Sequence, residues 1–193
     1  PATNRTHRTL RQPTESRPRA LVVHHPCGRA AAHERRVMAA VLRAVDDAGL
    51  DATCIYPNTD RGSSGVIAAI EAHAARNGSL GAPFRAVRSL DREIYLNALI
   101  DADVLIGNSS SGIIEAATAG TPAVNIGSRQ EGRERSARCV IDAVEDYRSV
   151  RKAIERALRL SPITLTNSAY GRGNAGKQIA KVLAAVPSGP DFT

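Results

Sequence analysis

Tryptophan is absent from the 193-residue chain, phenylalanine occurs twice and tyrosine four times, so there is little to stack on bases. Lysine is nearly missing too: three residues against 23 arginines, a bias that reflects genome composition more than function. No apolar run approaches the roughly 18 residues that a membrane span needs. No apolar stretch follows the Arg-rich start either, so neither a span nor a signal peptide is expected. The three cysteines, Cys27, Cys54 and Cys139, are odd in number and widely scattered. They read as reduced thiols of a cytoplasmic protein and not as a disulfide framework.

The net charge of +7 is unevenly spread. Arg5, Arg8, Arg11, Arg17 and Arg19 face Glu15 alone, which gives residues 1–19 a net +4 and leaves +3 for the rest. A nucleic-acid reading would rest on that tail, and no nucleic-acid partner is expected. Residues 1–19 carry three prolines and no hydrophobic periodicity, the pattern of a linker or disordered arm. The chain opens on Pro1, which reads as a fragment or a processed product.

From residue 20 short apolar β-type runs alternate with helix-like segments. The runs are ALVVHHP, ATCIYPN, PFRAVRSL, ADVLIGNS, PAVNIGS and CVIDAV; the helices are expected near 30–48, 62–77, 91–101, 112–119, 146–159 and 174–186. Strands apolar on both faces, each followed by a helix, predict an α/β fold: a Rossmann-like, doubly wound parallel sheet over 20–186, with a tail at 187–193. Ligands of such sheets sit outside the carboxyl ends of the strands, so the residues just past each run are the ones to inspect.

The strongest constellation there is GNSSSG, residues 107–112. Ser109, Ser110, Ser111 and Gly112 at a helix start offer free N–H groups, short donors and a positive dipole end, which favour a phosphate or pyrophosphate. The bland alternative is a serine cap. Glu115, three residues past Gly112, suits either a capping box or a carboxylate that accepts both hydroxyls of a ribose. In the segment GSRQEGRER, Arg129 comes soonest after the strand and is the best phosphate fork; Arg133 and Arg135 read as solvated surface. Of the adjacent pair His24 and His25, one is expected to pack into the sheet and one to face the cleft. Their spacing with Cys27 and His33 does not suit zinc, and no metal is expected. Asn58, at the end of another strand, has both a donor and an acceptor to offer a base or sugar, or serves as a turn former.

These residues carry a resemblance. The stretch GNSSSGIIEAATAGTPAVNIGSRQEGRER, residues 107–135, resembles the C-terminal domain of the hydrolysing UDP-N-acetylglucosamine 2-epimerases. HHP at 24–26, YPNTDRGS at 56–63 and YGRGNAGKQI at 170–179 are similar to that family in the same order. The resemblance implies one half of a two-domain, B-type glycosyltransferase-like enzyme that converts UDP-N-acetylglucosamine and water to N-acetylmannosamine and UDP, without a cofactor. It implies that His25 and Arg129 contact phosphates, Ser109 to Gly112 bind the pyrophosphate, Glu115 takes the ribose and Asn58 lies at the rim. It also implies two partners, UDP-N-acetylglucosamine or UDP and an N-terminal half, and leaves room for a homo-oligomer. The family's N-terminal domain, with its acid/base carboxylates, has no counterpart here, so the chain alone is expected to bind and not to turn over. The rival readings are a UDP-sugar-dependent glycosyltransferase half and a non-catalytic nucleotide-sugar-binding subunit.

Overall fold

A computed structural model describes residues 17–77, 83–135, 139–160, 169–170 and 174–186. Most of the basic arm, the tail at 187–193 and part of the YGRGNAGKQI segment therefore lie outside the described residues. Six strands, β1 (Arg19–Val23), β2 (Asp51–Ile55), β3 (Phe84–Val87), β4 (Val104–Gly107), β5 (Ala123–Ile126) and β6 (Val140–Ala143), form one sheet in the order β3-β2-β1-β4-β5-β6. Every pairing is parallel. The chain winds outward from β1 through β2 to β3, then crosses back to lay β4 on the other side of β1. That crossing is the switch point of a doubly wound sheet, where a crevice opens between β1 and β4.

The helices are α1 (Ala31–Asp47), α2 (Ser63–Asn77), α3 (Arg92–Asp101), α4 (Ser111–Ala119), α5 (Tyr147–Leu160) and α6 (Ala175–Ala185). Each falls within a residue or two of the segment read from sequence. β1 begins at Arg19, one residue before the expected start. Its amide donates to Asp103 Oδ2 at 2.8 Å and its register partner is Asp51, neither of which is visible in the local sequence.

Alternation along the strands divides the core in two. Ala20, Val22, Cys54, Val104, Ile106, Val124 and Ile126 pack on α1, α2 and α5; Leu21, Val23, Leu105 and Ala123 pack on Leu99 of α3 and Ala116 of α4. α5 shows why such a charged segment is helical. Val150, Ala153, Ile154 and Ala157 make a buried stripe at i, i+3, i+4 and i+7, and the arginines lie outside it. Truncating a buried anchor such as Leu42 or Ile154 to Ala would cost about 2–5 kcal/mol. Among the described residues α6 stands apart: it buries none of its side chains, and Ile179, Val182, Leu183 and Val186 are exposed on one face. None of the described helices is long and apolar enough to cross a membrane.

His24, just past β1, is a buried residue whose two ring nitrogens have no hydrogen-bond partner among the described residues. Burial pushes its pKa down to about 4, against the partial opposition of Glu145 and Glu34. Below the ordinary histidine value of 6.5 the unfolded chain takes up a proton that the folded chain refuses. Stability should therefore fall as the pH drops from 6.5 towards 4, by on the order of 3 kcal/mol from this residue. Urea midpoints measured across that range should fall more for the wild type than for His24→Gln, and equal slopes would contradict it.

Candidate functional site

The crevice at the switch point is closed at its base by Asn108. Its Oδ1 accepts the His25 amide at 2.7 Å and its Nδ2 donates to the His25 carbonyl at 2.8 Å, a two-way bond between the β1 and β4 loops. Asn108 N–H also donates to the Val23 carbonyl, extending the ladder past the strand ends. Gly107 makes this approach fit: its φ is 142°, and a Cβ there would lie 2.0 Å from the Val23 carbonyl oxygen.

His25 is the cleft-facing member of the histidine pair, and His24 is the packed one. The Asn58 amide donates to His25 Nδ1 at 3.1 Å, so the neutral ring carries its proton on Nε2. Burial, then the charge of Arg129, lowers the His25 pKa, with Asp60 opposing. The ring is therefore a neutral N–H donor near pH 7. Asn58 sits at the same rim. Its Nδ2 donates to Asp60 Oδ2 at 2.6 Å, while its Oδ1 is buried without a partner among the described residues.

The serine run begins the helix, and only Ser109, not the N-cap residue, lends a side-chain oxygen to its first turn. The N-cap residue is Ser110, with no side-chain cap bond, and the helix starts at Ser111, one residue before the expected position. With that start Glu115 lies in the fifth helical position, out of reach of a capping-box pairing, which links the N-cap to the third. The capping alternative for Glu115 is thus excluded. The residue is half-buried, one turn along α4, with no side-chain hydrogen bond among the described residues. The backbone amides of Ser109 and Ser110 find no acceptor there either, whereas the Gly112 amide donates to the Ser109 carbonyl. Ser109 Oγ accepts the Ser111 amide at 3.3 Å, and buried Ser111 accepts the Tyr95 hydroxyl. Two open amides, the hydroxyls of Ser109 and Ser110 and a helix dipole lie together at the helix start, a set of donors of the kind an anion can accept.

Arg129 arrives from the β5 loop. Its Nη1 reaches the Asn108 carbonyl at 3.4 Å and its Nη2 lies 3.9 Å from Asp60 Oδ2. Gln130, buried beneath it, donates to the same carbonyl at 2.8 Å. Arg135 folds back onto the Gln130 carbonyl at 3.0 Å and Asp142 at 3.2 Å, so it serves its own loop; Arg133 is exposed. His25, Asn58, Ser109, Ser110 and Arg129 are brought together at the carboxyl end of the sheet, and Glu115 lies on the α4 side of it.

The sequence reading missed the groups that support these. Tyr95 of α3 carries no local signal, and nothing in the mixed-charge segment GSRQEGRER sets Gln130 apart. Most telling is Glu34, which is fully buried: Oε1 accepts the amides of Cys27 at 2.9 Å and Arg29 at 3.2 Å and so folds the β1 loop around itself. The one available signal was an acidic residue in the first turn of a helix. Among the described residues no cluster of three or more His, Cys, Asp or Glu is arranged to hold a metal ion.

Residues 2–184 match the model of the UDP-N-acetylglucosamine 2-epimerase family. A Legionella pneumophila relative, UDP-N,N'-diacetylbacillosamine 2-epimerase (hydrolyzing), is 31% identical over 86% of this chain and 42% of its own length. The fold resembles a Methanocaldococcus jannaschii UDP-GlcNAc 2-epimerase solved with UDP-GlcNAc and UDP, with TM-score 0.68 and 14% identity over 87% of this chain and 45% of that one. It also resembles, more distantly, a UDP-forming α,α-trehalose-phosphate synthase from Burkholderia xenovorans, with TM-score 0.51 and 14% identity over 76% of this chain and 37% of that one. The chain thus spans about half the length of the relatives it matches. With the family match running over nearly the whole sequence, and the epimerase fold recurring over the same residues, the chain belongs to the UDP-N-acetylglucosamine 2-epimerase family.

Proposed function

We propose that this chain is the UDP-sugar-binding half of a cytoplasmic, hydrolysing UDP-N-acetylglucosamine 2-epimerase. The observation that carries the reading is the convergence at the carboxyl end of the sheet of the open α4 amides, the neutral His25 N–H and the Arg129 guanidinium, with an unengaged carboxylate, Glu115, one turn along the same helix. Anion donors followed by a carboxylate suit a diphosphate followed by a ribose diol. The Legionella relative's name supports the hydrolysing branch.

In the proposed reaction a base removes the C2 proton while the C1–O bond breaks, and UDP leaves with the bonding pair. Water then adds its oxygen at C1 and a proton at C2 of the glycal-like intermediate. On this side of the cleft His25, Arg129 and the α4 start hold the charge that develops on departing UDP. Glu115 is assigned to the ribose, and the other nearby carboxylates are already engaged: Asp60 by Asn58 and Arg129, Glu34 by two amides, Glu145 by Arg29. The base at C2 therefore comes from the other half of the enzyme. The apolar stripe Ile179, Val182, Leu183 and Val186 on α6 gives that half a surface to cover. A glycosyltransferase half is the second reading, favoured by the likeness to the trehalose-phosphate synthase. Glycoside formation with no free N-acetylmannosamine would select it.

Glu115→Ala should weaken UDP binding about ten- to a hundred-fold, through loss of charged hydrogen bonds worth roughly 1.5–3 kcal/mol. Calorimetry with UDP and with 2′,3′-dideoxy-UDP checks the cause: the dideoxy ligand should bind wild type and variant alike. Equal losses for both ligands would make Glu115 a structural residue. Arg129→Lys should also bind UDP more weakly, because an ammonium cannot reproduce the fork, and wild-type affinity in that variant would remove Arg129 from the site. The chain alone should release no N-acetylmannosamine from UDP-N-acetylglucosamine. Adding the N-terminal half should restore turnover with a rate that rises with its concentration, and Leu183→Asp should raise the concentration required. Turnover by the pure chain would refute this division of labour.

A further inference from the structure

Glu145, just past β6, is a half-buried carboxylate 116 residues from its partner, Arg29 of the β1 loop. Arg29 Nη1 donates to Glu145 Oε2 at 2.6 Å and Nη2 donates to Oε1, a two-pronged contact. Arg29 belongs to the loop that runs on from His25, and the backbone of that loop is folded onto buried Glu34. The same Glu145 carboxylate lies against Gly127, where φ is 73° and a Cβ would stand 2.6 Å from Oε1. Gly127 comes two residues before Arg129. Its amide donates to the Ala143 carbonyl at 2.8 Å, two residues before Glu145. One side chain thus touches the segments that carry His25 and Arg129, a second link between them beside the Asn108 junction.

Deepening the UDP reading, on which it rests, we propose that Glu145, paired with Arg29, is a positioning residue of the diphosphate site: on the far side from Asn108 it holds the His25 loop at a set distance from the Arg129 loop. A carboxylate this near an anion site would ordinarily repel the ligand. Its bidentate partner neutralises that charge and leaves the geometry. The nucleoside end is held elsewhere, by Glu115 on α4, so loss of the clamp should be felt by the phosphates and not by the ribose.

The test uses the whole chain and two ligands, UDP by calorimetry and uridine by NMR titration, with thermal melts to establish folding. Glu145→Gln and Arg29→Ala should each lower UDP affinity about tenfold while uridine affinity stays within about twofold. The double variant should be no weaker than the worse single one, since both remove one contact. Gly127→Ala, which pushes a methyl group into the carboxylate, should show the same selective loss. If Glu145→Gln does not fold, Arg29→Lys takes its place, keeping the charge and losing the two-pronged contact. Uridine affinity falling in step with UDP would reduce the pair to a stabilising contact and overturn the proposal. So would unchanged or increased UDP affinity in folded variants. A wild-type chain that binds neither ligand refutes the UDP reading itself; wild-type binding with unaltered variants refutes only the role of Glu145.

Discussion

The two-way bond between Asn108 and the His25 backbone holds the chain together at the point where a doubly wound sheet parts. β1 and β4 are neighbours, but beyond their last ladder bonds the β1 loop turns to α1 on one face and the β4 loop to α4 on the other. Left to themselves, the exposed peptide groups there would be solvated and the loops would wander. Asn108 satisfies both sides with one amide, and its own carbonyl is met by Gln130 and Arg129 from the β5 loop. Three strand-end loops are thereby referred to one residue. That junction brings His25 and Arg129 close, and the Glu145–Arg29 pair is the proposed second tie between their loops.

Charge in the site is arranged by enclosure. His25 is kept neutral by burial and by Arg129, so it donates a hydrogen bond without adding another cation. Glu145 is held below the usual carboxylate range chiefly by its hydrogen bonds to Arg29, so its charge is present but matched. Glu34 spends one oxygen on two backbone amides. The open donors left there are the α4 amides, the His25 ring and part of the Arg129 guanidinium. In the proposed reading such a set suits an anion, to which it leaves the unpaired partners.

Much of this was legible in the sequence because it is periodic or local. Apolar runs alternating with 3.6-period stripes gave away the parallel sheet, and strand-end position singled out the His24–His25 pair, Asn58, the run Ser109 to Gly112 and Arg129, with His25 chosen only by the family resemblance. What stayed hidden depends on contacts between distant segments. Nothing local pairs Arg29 with Glu145, because only the parallel sheet brings the carboxyl ends of β1 and β6 to the same side of the fold. Tyr95 meets Ser111 because α3 and α4 share a face, which no local pattern encodes. The ambiguity over Glu115 turned on where the helix starts: a capping-box pairing would need a start at Ile113, two residues after the actual one at Ser111, and sequence alone leaves a helix end uncertain by about that much.

The central claim is that the β1–β4 switch point holds a nucleoside diphosphate with its ribose on α4. A crystal structure of this chain grown with UDP tests it most directly. The account predicts phosphate oxygens within hydrogen-bond distance of His25 Nε2, Arg129 and the Ser109 and Ser110 amides, with both ribose hydroxyls on Glu115. UDP found away from those residues, for example in the open cleft beside Ser128 and Ser149, or with its ribose turned away from Glu115, would contradict it.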